Sequence, residues 1–138
     1  MYYRLIYSSF ETDPFTDAQL DELLRKSRRA NLASEITGLL LYQDGHFMQL
    51  LEGSKPAVLS LFAKIKDDPR HRDVVVLLES ETPNRDFQQW SMGFKKVDSN
   101  TSREVPAYKA FDHLTLNQFL ANPLKSLGLL LAFKNSRL

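Results

Sequence analysis

The chain has no cysteine. Disulfides, thiolate catalysis and zinc–thiolate sites are therefore excluded, and the composition fits a reducing compartment such as the cytoplasm. Glycine is scarce, with five residues in 138, and none forms a glycine-rich phosphate loop. The three histidines, His46, His71 and His113, stand at spacings that match no metal motif. No nucleophile elbow is present, and nothing in the sequence brings a serine, a histidine and an aspartate together. No apolar run approaches the roughly 18 residues needed to cross a bilayer. Charge is balanced at +1, with 18 basic against 17 acidic residues, so there is no general electrostatic footprint for nucleic acid. The N-terminus opens on Tyr3-Arg4-Leu5-Ile6-Tyr7, a strand pattern rather than a signal peptide. Together these absences point to a soluble cytoplasmic single domain that is not an enzyme of a familiar type.

Strands alternate with helices along most of the chain. Residues 2–9 read as a first strand. Thr16 with Gln19 three residues on makes a capping box, and Ala18, Leu20, Leu23, Leu24, Ala30 and Leu32 mark a helix stripe. Its tail carries Arg25, Lys26, Arg28 and Arg29, a solvated face that complements the helix dipole. Ile36 to Tyr42 is a second strand, and Gly38 within it marks a close backbone approach. Asp44-Gly45 signals a hairpin into a third strand, Gly45 to Gly53. Ser54 caps a second helix with Pro56 in its first turn, and Val58, Leu59, Leu61, Phe62 and Ile65 form its stripe. Asp67-Asp68-Pro69 ends it. Val74 to Leu78 reads as a buried fourth strand, and Trp90-Ser91-Met92-Gly93-Phe94 as a fifth.

The order β-α-β-β-α-β is the ferredoxin-like split pattern, here with an added fifth strand. The expected class is α+β. Right-handed crossovers place both helices on one face, which leaves the other bare. Residues 98–106 read as a linker. Two C-terminal helices follow, one capped near Thr115 and carrying Leu114, Leu116, Phe119 and Leu120. The other starts at Pro123, with Leu124, Leu127, Leu130, Leu131 and Phe133 as its apolar face. They are expected to cover the sheet or a partner subunit.

The third strand is apolar almost throughout, yet Gln49 sits in its middle. Burying that amide unpaired costs about 1–3 kcal/mol. It is either a core glutamine satisfied by backbone or a group kept to bind something polar and flat. Tyr7, Asn31, Trp90 and Met92 stand in similarly apolar elements. Tyrosine and tryptophan can donate an electron to an oxidising cofactor, and an asparagine and a glutamine can bind the edge of a heterocycle such as a flavin.

Five segments then resemble one family in order and approximate spacing. They are Arg4-Leu5-Ile6-Tyr7-Ser8-Ser9, Asn31 with Ile36-Thr37-Gly38-Leu39-Leu40, Phe47-Met48-Gln49-Leu50-Leu51-Glu52-Gly53, Asp68-Pro69-Arg70-His71 and Trp90-Ser91-Met92. The chain resembles a BLUF domain, a blue-light sensor that uses FAD, over roughly residues 2–97. The resemblance implies a photosensory domain at residues 1–97 and a linker with a helical extension at residues 98–138. The tail resembles that of short family members, which lack a fused enzymatic domain. Tyr7 matches the family's electron and proton donor, Gln49 the bridging glutamine, and Asn31 the asparagine at the flavin's pyrimidine edge. Trp90 and Met92 match the pair that exchange places near that glutamine. Arg70 and His71 match positions at the ring's polar rim, and Leu23, Leu40 and Ile65 its apolar contacts between the two long helices. Ala30 departs from members that carry a larger polar residue there, with no expected effect on the photochemistry.

The resemblance further implies that light rearranges the Gln49 hydrogen bonds by rotation, tautomerisation or both. The change would pass through Met92 and Trp90 to the C-terminal helices and a downstream signalling protein. Homo-oligomers are expected, as are neither nucleic acid nor membrane partners. Two other readings of the sequence remain open. One is a flavin-binding redox or temperature sensor without a productive photocycle; the other is a small hydrolase of acyl phosphates on the same fold.

Overall fold

The computed structural model describes residues 1–88, 90–97, 105 and 116–135. Most of the expected linker, together with Leu114 and the cap at Thr115, lies outside the described residues. The elements in chain order are β1 (Tyr2–Glu11), α1 (Asp17–Ala33), β2 (Thr37–Gln43), β3 (His46–Gly53), α2 (Lys55–Asp67), β4 (His71–Thr82), β5 (Gly93–Lys96), α3 (Leu116–Ala121) and α4 (Pro123–Lys134).

The strands form one sheet in the order β4-β1-β3-β2-β5. β3 runs antiparallel to both β1 and β2, and β5 is added parallel to β2. This is the ferredoxin-like arrangement with a fifth strand. The strand carrying Gln49 is the middle one, and from Phe47 to Gly53 it is buried at every position. A strand covered on both faces needs apolar residues at odd and even positions alike, as its sequence has.

Each face has its own core. Leu5, Tyr7, Leu40, Phe47 and Leu51 point toward Leu20 and Leu24 of α1 and Val58 and Phe62 of α2. Ile6, Leu39, Leu41, Met48 and Leu50 point the other way and meet Leu129, Leu130 and Phe133 of α4. The C-terminal helices thus cover the face that the crossovers leave bare. Burying a Leu or Phe side chain contributes about 1.5–3 kcal/mol.

Local chemistry explains the joints. Thr16 accepts from the Gln19 amide while the Gln19 side chain returns the bond, closing the capping box. Ser54 caps α2 and Pro56 sits in its first turn. Asp44 and Gly45 both have positive φ, at 48° and 81°, as a tight hairpin turn requires. A Cβ on Gly38 would lie 1.9 Å from the Leu50 carbonyl oxygen, so only glycine fits there.

Several expectations are corrected. β4 is longer than Val74 to Leu78 and lies at the sheet edge, so Val74 to Val76 are half-buried rather than buried. β5 begins at Gly93, which leaves Trp90 and Met92 in the preceding loop. α1 runs on to Ala33, so its basic residues fall short of the last turn. Leu32, Leu59 and Leu124 are exposed, whereas Ser126 and Leu129 join the buried side of α4.

Candidate functional site

Strand pairing builds the site's floor. Tyr7 lies directly opposite Gln49 across β1 and β3, and Leu40 lies opposite Gln49 across β2 and β3. Directly opposed residues share a face, so the three side chains form a row under the two long helices. Beside Tyr7, β4 carries a bulge. Ile6 pairs with Leu78 but Tyr7 with Val76, so Leu77 is left over.

Above this row is a cavity of about 250 Å³ between α1 and α2. Leu23, Lys26, Ser27, Ala30 and Asn31 of α1 form one wall. Leu61 and Ile65 of α2 form the other. Phe15 and Phe47 close one side, and Asp68, Arg70 and His71 form a charged rim. The lining is mainly apolar with a few convergent polar groups, the usual make-up of a small-molecule site. The amides of Asn31 and Gln49 among apolar side chains suit the polar edge and apolar faces of a flat heterocycle. A second cavity shares Phe15, Lys26 and Arg70 with the first and offers polar space at its mouth.

The hydrogen bonds are specific. The Tyr7 hydroxyl donates to Gln49 Oε1 in a short bond between buried side chains. Gln49 Nε2 donates to Met92 Sδ at 3.1 Å. Burial pushes the Tyr7 phenol far above its ordinary value, and the negative charge of Asp68 adds to the shift. Asn31 Nδ2 donates to the Ser91 carbonyl at 2.8 Å, which leaves the rest of its amide for a ligand. At the rim the Arg70 guanidinium grips both oxygens of Asp68 and holds that carboxyl below the usual range. His71 Nε2 donates to the Ile65 carbonyl, which can only accept, so this nitrogen carries the proton. Its Nδ1 meets the Ser9 hydroxyl at 2.9 Å.

Of the residues singled out in the sequence, Tyr7, Leu23, Asn31, Leu40, Gln49, Ile65, Arg70 and His71 line this cavity. Met92 is buried beside Gln49 on the same face. Trp90 is not brought there. It packs edge-on to Phe87 and against the core on the opposite face. Gly93 explains its place, because a Cβ there would overlap the Trp90 ring. Lys26 was legible only as part of a solvated basic face, Asp68 only as a helix end and part of a family-like segment, and Ser27 carried no signal. Arg28, read as a solvated charge, donates from Nε to the Met92 carbonyl at 2.9 Å.

Comparison with known proteins agrees with this geometry. The chain is 39% identical over 89 residues to photoactivated adenylate cyclase subunit beta of Euglena longa, covering 64% of this chain and 10% of that protein. It is 38% identical over 88 residues to the blue light- and temperature-regulated antirepressor BluF of Escherichia coli K12, covering 64% of this chain and 22% of that one. The chain therefore spans only about a tenth to a fifth of the length of these relatives. Among solved structures, the ground state of BlsA superposes with a TM-score of 0.77 at 31% identity, over 95% of this chain and 88% of that one. The family model for sensors of blue light using FAD matches residues 2–93, the stretch that contains β1 to β4, both long helices and the Tyr7–Gln49–Met92 chain. The chain belongs to the BLUF family of FAD-using blue-light sensors.

Proposed function

We propose that the Tyr7–Gln49–Met92 hydrogen-bond chain is the light-driven switch of this sensor, with residues 1–97 as the photosensory part and residues 98–138 as its output. The observation that carries the reading is a single one. A buried phenol donates to an amide whose other end donates to a thioether on a loop, and the phenol and the amide line the cavity.

FAD, when bound, supplies absorption of blue light and a strongly oxidising excited state. Asn31, Arg70 and His71 would hold its polar edges, and Leu23, Leu40 and Ile65 its apolar faces. Tyr7 would supply the electron that this excited state takes up, and its phenol proton would move along the bond to Gln49. When both return, the amide is left with changed partners. A dry, buried site makes such a change persist, because no water competes for the freed groups. The local change needs a two-state neighbour to amplify it. The loop of Met92 and Trp90 is that neighbour, since it touches both faces of the sheet.

The reading is of a receptor, and its partner is proposed to be another protein. Names of relatives support the class of output: one is a cyclase subunit and another an antirepressor. Among the described residues no helix is long and apolar enough to cross a membrane. A cytoplasmic homo-oligomer is proposed. The test is a light-minus-dark absorption spectrum of the purified FAD-loaded chain, followed by capture of binding proteins in both states. A reversible red shift with state-dependent binding supports the reading; a flavin spectrum indifferent to light favours a redox or temperature sensor instead.

A further inference from the structure

A carboxylate outside the photochemical chain is fully buried. Glu52 lies three residues beyond Gln49 on β3 and on the opposite face of the sheet, with no exposed surface. A buried carboxylate is costly unless its oxygens are satisfied by donors. Here the donors come from two elements. Thr37 of β2, directly opposite, donates from Oγ1 to Oε1 at 3.0 Å. The backbone N–H of Asp86 donates to Oε2 at 3.0 Å, and that of Phe87 donates to Oε1. Arg4, opposite Glu52 on β1, reinforces the same point by an ion pair to Asp86 at 2.7 Å. Burial pushes the Glu52 carboxyl up, and the two backbone N–H groups pull it back.

The gripped backbone leads directly to the switch. The Phe87 carbonyl accepts the Trp90 N–H at 2.9 Å, and the Phe87 ring meets the Trp90 ring edge-on at 5.9 Å. The Trp90 carbonyl accepts the Gly38 N–H at 2.9 Å. Two residues later comes Met92 on Gln49. Phe87 also meets the C-terminal helix, with Lys134 Nζ 5.5 Å from its ring centre.

We infer that Glu52 is a positioning residue: its buried carboxylate grips the backbone at Asp86 and Phe87, and so sets where Trp90 and Met92 sit on the two faces of the sheet. The carboxylate accepts both N–H groups without offering a competing donor; a glutamine amide could accept only through its one oxygen. The rigid central strand then ties this anchor to Gln49. The inference rests on the proposed switch for its consequence, but the anchor itself exists in the dark.

Trp90 is the sole tryptophan in the chain, so its fluorescence reports this loop alone. The test is acrylamide quenching of Trp90 in the FAD-loaded full chain in the dark, with the dark-recovery rate measured alongside. Glu52→Gln is expected to raise the quenching constant about threefold and to speed dark recovery by a similar factor, as loss of charge-assisted bonds loosens the loop. Thr37→Val keeps the shape, removes one donor and is expected to move both readouts in the same direction by less. If Glu52→Gln does not fold, Thr37→Val decides alone. A lowered melting temperature with parental quenching and recovery in the folded variants overturns the inference and leaves Glu52 a purely structural group. A wild-type chain that shows no red shift sinks the proposed switch, while the dark quenching result still judges the anchor.

Discussion

Gln49 and Met92, 43 positions apart in sequence, meet through an N–H···S bond of 3.1 Å in the core beneath α1. The amide's other end holds Tyr7. An amide between a strong and a weak partner has an uneven hold, and thioethers are weak acceptors. Exchanging the thioether side for another acceptor costs little, which makes this side the natural place for a switch to act.

Removing the amide tests that geometry. Gln49→Leu is expected to abolish the light-induced shift while the protein still binds FAD. The Tyr7 hydroxyl then loses its acceptor, at a cost of about 1–3 kcal/mol. Urea unfolding measures the cost, and difference spectroscopy measures the shift. A normal photocycle in this variant contradicts the role assigned to Gln49.

Arg28 tests the tie between α1 and the Met92 loop. Its Nε–Met92 carbonyl bond joins an exposed side chain to a buried residue. Arg28→Ala should change stability by no more than about 0.5–1.5 kcal/mol. Dark recovery should nevertheless become several times faster, because Met92 loses a restraint on its backbone. Recovery at the parental rate shows that the bond does not restrain the switch.

Gly38→Ala tests the fold that places the row of site residues. Its Cβ would stand 1.9 Å from the Leu50 carbonyl oxygen, a backbone atom that cannot swing away. β2 and β3 must then separate, at a cost of about 3 kcal/mol or more. Loss of soluble protein or a strongly lowered denaturation midpoint is expected. A near-parental midpoint contradicts the strand contact.

Stability at high pH follows from the phenols. Burial comes first among the causes that raise Tyr7, Tyr3 and Tyr42, and the last two are pushed up to about 12. Hydrogen bonds to Glu79 and Glu11 add to the shifts of Tyr3 and Tyr42. In the unfolded chain a tyrosine ionises near pH 10. Between pH 10 and 12 the folded chain therefore holds more protons than the unfolded one, and unfolding free energy falls as pH rises. Below pH 10 these groups contribute no slope. Chemical denaturation across this window should show the decline, with a shallower slope in Tyr7→Phe. An equal slope in both forms contradicts the burial of Tyr7.

Much of this site was legible in the sequence because Tyr7, Asn31 and Gln49 are polar groups in apolar elements and fall in segments that resemble one family. That Tyr7 and Gln49 share a face follows from the β1–β3 register, which the sequence alone does not fix. The capping box, the Asp44-Gly45 turn and the close approach at Gly38 are likewise local and were readable. Trp90 was harder. Its side of the sheet depends on the loop running from Phe87 to Gly93, and no periodicity governs a loop. Arg28 looked like any solvated charge, because its partner is a backbone carbonyl 64 residues away. Glu52 was legible as part of a motif but not as an anchor, since its donors are backbone amides that any sequence would supply.

The central claim is that light acts through Tyr7 and Gln49. A light-minus-dark absorption spectrum of the FAD-loaded chain, wild type beside Tyr7→Phe, tests it most directly. The account predicts a reversible red shift in the wild type and none in Tyr7→Phe, with FAD bound in both. Equal shifts in the two proteins, or a bound flavin in the wild type that does not respond to blue light, would contradict it.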